Sequence, residues 1–169
     1  MAYDFANLSP AEFENLARDL IGVEMNIRFE AFADGPDDGI DGRHSMANGA
    51  IILQAKHYHR SQFSALKGTM VKERSTIDRL QAKRYILATS RPLTPKNKTA
   101  LAEIIGPSLK NTADIIGPGD LNGLLLKHPA IEKAHQSLWR GTTTMLEQVV
   151  TGAVEKAILR RGPVPDVLA

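Results

Sequence analysis

Strand-like and helix-like segments alternate along the middle of this chain, and this alternation limits its fold more than any other feature. Residues 50–56 and 84–89 are rich in β-branched and other apolar residues, as strands buried inside a sheet are. Residues 61–80, between them, place apolar side chains at helical spacing among basic ones. A helix beginning at Thr94-Pro95 and a short strand at 113–116 follow. Strand, helix and strand in succession imply a parallel crossover, so the sequence predicts an α/β fold.

The residues before this core predict one helix and two further strands. Ser9 and Glu12 form a capping box, and apolar residues at helical spacing then predict a helix over about 10–21. Alternation of apolar and polar residues over 25–33 predicts a half-buried strand. A short strand at 40–44 and a hairpin turn at 46–49 lead into the buried strand. We therefore expect a central mixed sheet flanked by helices, with extra helices after residue 120.

Composition excludes several classes of protein. The chain has 169 residues and no cysteine, so disulfide scaffolds, thiolate zinc sites and cysteine nucleophiles are excluded. No apolar run approaches the roughly 20 residues of a membrane span, and the first residues do not resemble a signal peptide. We expect a cytoplasmic protein without a membrane partner, in which any chemistry depends on carboxylates, lysine, histidine, hydroxyls or a cofactor.

One constellation of polar residues has the spacing of a site. Asp41 lies between glycines at the start of the hairpin, and Gln54 and Lys56 lie two residues apart on the next strand. Residues two apart on a strand project from the same face, and Asp41 on the paired strand can reach the same patch. Oxygen ligands of this kind suit Mg²⁺, which keeps several waters and needs one or two carboxylates. Asp37 and Asp38, just before this constellation, are interpreted as loop residues because Pro-Asp-Asp-Gly is turn chemistry.

These residues resemble the Mrr-like branch of restriction endonucleases, within the PD-(D/E)xK nuclease superfamily. The resemblance covers about residues 3–140 and rests on the glycine-flanked Ile-Asp at Asp41 and on the Gln-x-Lys of Gln54 and Lys56. It implies a restriction-endonuclease-like core and a Mg²⁺-dependent endonuclease that hydrolyses DNA, with Mn²⁺ as a possible substitute. The superfamily's second acidic position is Gln54 here, which leaves the usual pair of carboxylates incomplete on the strands.

The resemblance also implies roles for individual residues. An acidic residue of the first helix completes the site in the Mrr-like branch, and the match by position is Glu14. Asp41, Glu14 and the backbone carbonyl of Ala55 would hold the metal, and Gln54 would position metal or water. Lys56 would either help to deprotonate the attacking water or stabilise the transition state as a cation.

Three histidines offer a different interpretation of the same region. His44, His57 and His59 could form a transition-metal site of neutral imidazoles. We favour surface histidines instead, because no carboxylate is spaced to complete a zinc site.

Charge is distributed unevenly along the chain. Residues 1–56 carry ten acidic and four basic side chains, whereas residues 57–98 carry two acidic and ten basic ones. A basic stretch can follow a phosphate backbone without reading bases, so the sequence predicts DNA contacts from it. The candidates are Arg60, Lys67, Lys72, Arg74, Lys96 and Lys98, and the alternative is an ordinary solvated helix face.

The division of the chain is also predicted. We expect a nuclease domain at 1–140 and a C-terminal helix and linker at 141–169, within which 144–159 has an apolar stripe. The resemblance is closest to nuclease domains that head bacterial anti-phage proteins with a STAND-type NTPase, yet this chain has no phosphate-binding Gly-x-x-x-x-Gly-Lys-Ser/Thr loop. The expected partners are therefore an NTPase or sensor domain outside this chain, or further copies in a homo-oligomer. The rival functions are a non-catalytic nucleic-acid-binding domain and an oligomerisation module, and RNA is an alternative substrate.

Overall fold

The structure, a computed structural model, describes residues 2–33, 39–58 and 61–139. Met1–Leu138 forms one compact unit. Its α-helices are α1 (Pro10–Met25), α2 (Phe63–Leu80), α3 (Pro95–Ile105), α4 (Pro118–Lys127) and α5 (Pro129–Ala134). Its strands are β1 (Gly42–Met46), β2 (Gly49–Lys56), β3 (Arg84–Thr89) and β4 (Ile115–Ile116). Short 3-10 turns at Phe5–Asn7, Thr112–Asp114 and Gln136–Trp139 complete the described elements.

The four strands form one mixed sheet in the order β1-β2-β3-β4. β1 and β2 are an antiparallel hairpin in which Gly42 pairs with Leu53. β2, β3 and β4 run parallel, and Lys56 pairs with Thr89 at the carboxyl end of the β2–β3 ladder. The observed sheet and its helices confirm the predicted α/β class and the predicted parallel crossover.

Helices cover both faces of the sheet. Buried side chains of β2 and β3, among them Ile52 and Leu87, pack against α2 and α3 in one apolar cluster. Alternate side chains of a strand point to the opposite face, where Ile86 lines one cavity together with Ile21 of α1 and Leu124 of α4. Gln54 and Lys56 have the same parity as Ile52, so they project toward the α2 side of the sheet.

The structure corrects the predicted region after the first helix. α1 continues to Met25 and ends at Asn26, which adopts a left-handed conformation with φ of 54°. Within residues 26–33 the described pairing is a single antiparallel bridge between Glu30 and Arg43, so the strand predicted at 25–33 is wrong. Of the apolar residues in this stretch, Phe29 is buried and Ala31 is exposed, and Phe29 packs on the hairpin, where a Cβ at Gly42 would lie 3.1 Å from the Phe29 Cβ.

The other predicted elements need smaller adjustments. Residues 63–80 form one continuous helix, β3 has the predicted bounds, and residues 47–48 form the hairpin turn. β1 begins at Gly42 instead of residue 40, and β4 is reduced to Ile115–Ile116 because a 3-10 turn precedes it. The predicted helix at 144–159 lies outside the described residues. None of the described helices is long and apolar enough to cross a membrane.

Candidate active site

Hydrogen bonds to β2 and to α1 fix the position of Asp41. Its backbone N–H donates to the Leu53 carbonyl at 2.9 Å, and its Oδ2 accepts from the Ala55 N–H at 2.6 Å. Its carbonyl accepts from Arg18 Nη1 of α1 at 2.9 Å. The N–H and C=O of one strand residue point to the same edge, so the Ala55 carbonyl emerges on the side of the Asp41 carboxylate. The hairpin thus brings together two of the predicted oxygen donors.

Gln54 is buried in the middle of β2, with 2% of its surface exposed. Its Oε1 accepts a hydrogen bond from the hydroxyl of Tyr85, a buried residue of β3. Its Nε2 faces the backbone of Gly39, because a Cβ at that glycine would lie 2.4 Å from it. Gly39 also has a φ of 75°, a conformation that other residues rarely adopt. The Gln54 amide is therefore held from both ends.

Lys56 forms an ion pair that the sequence analysis did not predict. Its Nζ lies 3.3 Å from Oε1 of Glu73, on α2, with side-chain exposures of 18% and 24%. The other oxygen of Glu73 would lie 3.5 Å from a Cβ at Gly39. Glu73 thus approaches both Lys56 and the backbone of Gly39, which lies next to the Gln54 amide.

The charges of Glu73 and Asp41 both affect the buried hydroxyl of Tyr85. The pKa of Tyr85 is raised well above its usual value, first by burial and then by the negative charges of Glu73 and Asp41. The hydroxyl therefore stays protonated and continues to donate to Gln54. Among the residues that the structure describes, no group of three His, Asp or Glu side chains is arranged to hold a metal ion.

Glu14 is half-buried on α1, four residues before Arg18, and so lies on the same side of that helix. Arg18 contacts the Asp41 carbonyl, whereas the Glu14 carboxylate makes no hydrogen bond or ion pair with another described residue. The structure brings Asp41, Gln54 and Lys56 together but shows no contact between Glu14 and these three.

His57 has a structural position instead of the predicted surface position. Its Nδ1 lies 2.8 Å from Ser90 Oγ, and its Nε2 lies 2.7 Å from the Leu8 carbonyl. Its ring stacks on Phe13 of α1 with centroids 5.2 Å apart. With both ring nitrogens bonded, His57 ties the end of β2 to α1 and β3, next to Lys56. His59 lies outside the described residues.

The predicted DNA-binding side chains fall into two groups. Lys67, Lys72 and Lys96 are exposed. Arg74 instead donates to both carboxylate oxygens of Asp78 and to the Ile104 carbonyl, and Lys98 lies 2.8 Å from an oxygen of Asp120. Arg60 lies outside the described residues. Arg74 and Lys98 therefore already have partners within the fold.

The sequence did contain a signal for Glu73. Leu66, Met70 and Ile77 form the buried stripe of α2, and the seven-residue gap between the last two leaves one turn of that face unfilled. Glu73 occupies this position, and an acidic residue on the apolar face of a helix needs a partner. Tyr85 gave no comparable signal, because a tyrosine in a buried strand is ordinary.

Comparison with known proteins shows the family of this chain. Residues 5–116 match the Mrr catalytic-domain family, described as restriction endonuclease. An uncharacterized protein of Sinorhizobium fredii, designated y4cD, is 60% identical over all 169 residues. The chain spans 26% of the length of that relative. A restriction endonuclease family, matched across the whole sheet and α1 to α3, supports nuclease function in general and a restriction-endonuclease-like fold. The chain belongs to the Mrr-like restriction endonucleases of the PD-(D/E)xK superfamily.

Proposed function

We propose that this chain is a Mg²⁺-dependent endonuclease that hydrolyses DNA phosphodiester bonds at the Asp41, Gln54 and Lys56 site. The observation that carries the proposal is the bond between the Asp41 carboxylate and the Ala55 N–H. It fixes an acidic group and a backbone carbonyl beside each other, one residue before the lysine of the family pattern.

The donors at this edge fit a hard divalent cation. The Asp41 carboxylate and the Ala55 carbonyl are oxygen ligands, and Mg²⁺ commonly binds through one or two carboxylates while it keeps several waters. Asp41 and Ala55 would hold the ion, and Glu14 is the further ligand that the family resemblance implies. When bound, the ion would supply an activated water and would neutralise charge on the phosphate.

Lys56 has a different task from the metal ligands. Its ammonium is paired with Glu73, and a protonated amine has no lone pair with which to accept a proton. We therefore assign Lys56 to stabilise the negative charge that develops on the scissile phosphate, instead of acting as the base. Gln54 holds the strand between these two groups in one orientation, since its amide is bonded to Tyr85 and covered by Gly39.

A second part of the proposal concerns the longer protein to which this domain would belong. The chain matches only about a quarter of its relative from Sinorhizobium fredii, so the relative is mostly other sequence. We propose that the nuclease is the effector domain of a larger bacterial anti-phage protein and acts in the cytoplasm. An NTPase or sensor domain, or self-association, would then switch it on.

The test is cleavage of supercoiled plasmid DNA across a wide range of protein concentrations. We expect nicked and linear DNA with Mg²⁺ and none with EDTA or with Asp41→Asn. The control is Asp19→Asn, which neutralises an exposed carboxylate of α1 that pairs with His135. Cleavage that survives Asp41→Asn would contradict the site. DNA binding without cleavage at any concentration would favour the non-catalytic alternative, and cleavage of RNA alone would replace DNA as the substrate.

A further inference from the structure

α2 carries a carboxylate on the face that packs against the sheet. Leu66, Met70 and Ile77 on this face are each at most 2% exposed. Glu73 lies among them by helical spacing and has 24% of its side chain exposed. Desolvating a carboxylate in such a place is costly unless a partner compensates. A glutamate at this position therefore opposes the packing preference of its own helix and needs compensating partners.

The partners of Glu73 all belong to the nuclease site. One oxygen pairs with Lys56 at 3.3 Å, and the other faces Gly39, whose backbone lies against the Gln54 amide. The negative charges of Glu73 and Asp41 both raise the pKa of Tyr85. Tyr85 is the residue whose hydroxyl bonds Gln54. Glu73 and Asp41 thus flank one glutamine from two different elements.

Charge balance explains why the site needs this second carboxylate. Position 54 is a neutral amide, so β2 itself offers no anion. Without Glu73, the charged groups of the site would be the Asp41 carboxylate, the Arg18 guanidinium at the Asp41 carbonyl and the Lys56 ammonium on β2. A divalent cation would then enter a site with a net positive charge, which Coulomb repulsion opposes. Glu73 balances these charges.

We propose that Glu73 is the second acidic ligand of this nuclease site, an inference that rests on the proposed metal-dependent function. It would supply from α2 the carboxylate that Gln54 does not supply from β2. Glu14 is the competing candidate, and the two lie on helices that cover opposite faces of the sheet.

The experiment measures Mn²⁺ binding to the full chain by electron paramagnetic resonance, without DNA or turnover. We expect Glu73→Gln to weaken binding at least about tenfold, since loss of a group that shapes a metal site commonly costs 10- to 100-fold in affinity. The matched control is Glu103→Gln, which removes an exposed glutamate of α3 and should leave the affinity unchanged. Thermal melts accompany each titration.

A second variant separates loss of the ligand from loss of the fold. The double variant Gln54→Glu/Glu73→Gln moves the carboxylate from α2 to β2 and leaves Lys56 with an acidic neighbour. We expect it to restore most of the Mn²⁺ affinity that Glu73→Gln loses. Failure of this rescue in a folded double variant would overturn the proposal.

Other outcomes distinguish this proposal from the proposed function. Equal Mn²⁺ affinity in wild type and Glu73→Gln, with loss in Glu14→Gln, would overturn the role of Glu73 and leave the metal-dependent function intact. Absence of Mn²⁺ binding in the wild-type chain, alone and with DNA, would overturn both.

Discussion

At the scale of the single residue, the orientation of Gln54 depends on one tyrosine. The Tyr85 hydroxyl donates to Gln54 Oε1 while Nε2 is turned toward Gly39. Burial and two nearby negative charges keep the tyrosine protonated, so this donor is present throughout the pH range of an ordinary assay. Gln54 is thereby prevented from rotating in the middle of the site.

Tyr85→Phe should therefore impair both folding and cleavage. It leaves a buried amide oxygen without its donor, which costs about 1–3 kcal/mol of unfolding free energy. We expect the initial cleavage rate to fall by about tenfold, equivalent to roughly 1.4 kcal/mol in the barrier. Urea denaturation and plasmid nicking measure the two effects.

Tyr3→Phe is the control for this change. It also removes a hydroxyl that donates to a side chain, here Glu132 at 2.8 Å, but it does so outside the site. Equal cleavage by folded Tyr85→Phe and by Tyr3→Phe would show that Tyr85 does not orient a group needed for the reaction.

The residues of the site differ in how far the sequence predicts them. One hairpin carries Asp41, Gln54 and Lys56. The alternation of its strand residues and its pairing register determine which residues lie next to each other. Glu73 and Tyr85 reach the site through the packing of α2 and β3 on that hairpin. Sequence spacing within an element says which face a residue occupies, but it does not say which residue of another element lies opposite.

At the scale of the element, α1 carries Arg18 and Glu14 and starts with a complete capping box. Ser9 Oγ accepts from the Glu12 N–H at 3.1 Å, and Glu12 Oε1 accepts from the Ser9 N–H at 3.2 Å. These bonds satisfy two backbone donors that the first helical turn would otherwise leave unpaired. The start of α1 is therefore fixed locally, and the sequence predicted it correctly.

Ser9→Ala should lower the unfolding free energy by about 1 kcal/mol, the usual cost of losing a helix N-cap. Urea denaturation followed by circular dichroism measures this difference. Ser75→Ala, at an exposed interior position of α2, serves as the control because alanine favours a helix there. A Ser9→Ala variant as stable as Ser75→Ala would mean that α1 does not depend on its cap.

The end of α1 was harder to predict than its start. Gly22 suggested a stop near residue 21, yet it is buried inside the helix, where a Cβ would lie 3.0 Å from the Ile27 carbonyl oxygen. The chain needs glycine there because residues 26–29 pass close to the helix. A glycine required by close approach has the same appearance in a sequence as a glycine that ends a helix.

At the scale of the whole molecule, the uneven charge of the sequence is divided between two structural parts that meet at the site. The acidic part of the described chain includes α1, with Glu12, Glu14, Asp19 and Glu24, and the basic part comprises α2, β3 and the start of α3. Several basic groups are engaged within the fold, among them Arg74 and Lys98. Lys67 and Lys72 remain exposed on α2, the helix that also carries Glu73.

Lys67→Ala/Lys72→Ala should weaken DNA binding without removing the chemistry of the site. Each lost phosphate contact lowers the slope of log affinity against log salt by about 1, so we expect a decrease of about 1 to 2. Fluorescence anisotropy with a labelled duplex at several salt concentrations measures this slope.

Lys56→Ala should retain DNA affinity and lose cleavage, because Lys56 is only 18% exposed and is paired with Glu73.

The control for Lys67→Ala/Lys72→Ala removes the same number of positive charges from a different surface. Lys110→Ala/Lys133→Ala removes two exposed lysines, one that precedes β4 and one from α5. Overall electrostatic attraction would decline equally in both double variants, whereas a phosphate path along α2 predicts the larger loss for Lys67 and Lys72. Equal salt slopes in the two double variants would therefore refute a DNA-binding surface on α2 and return these lysines to the ordinary solvated face of a helix.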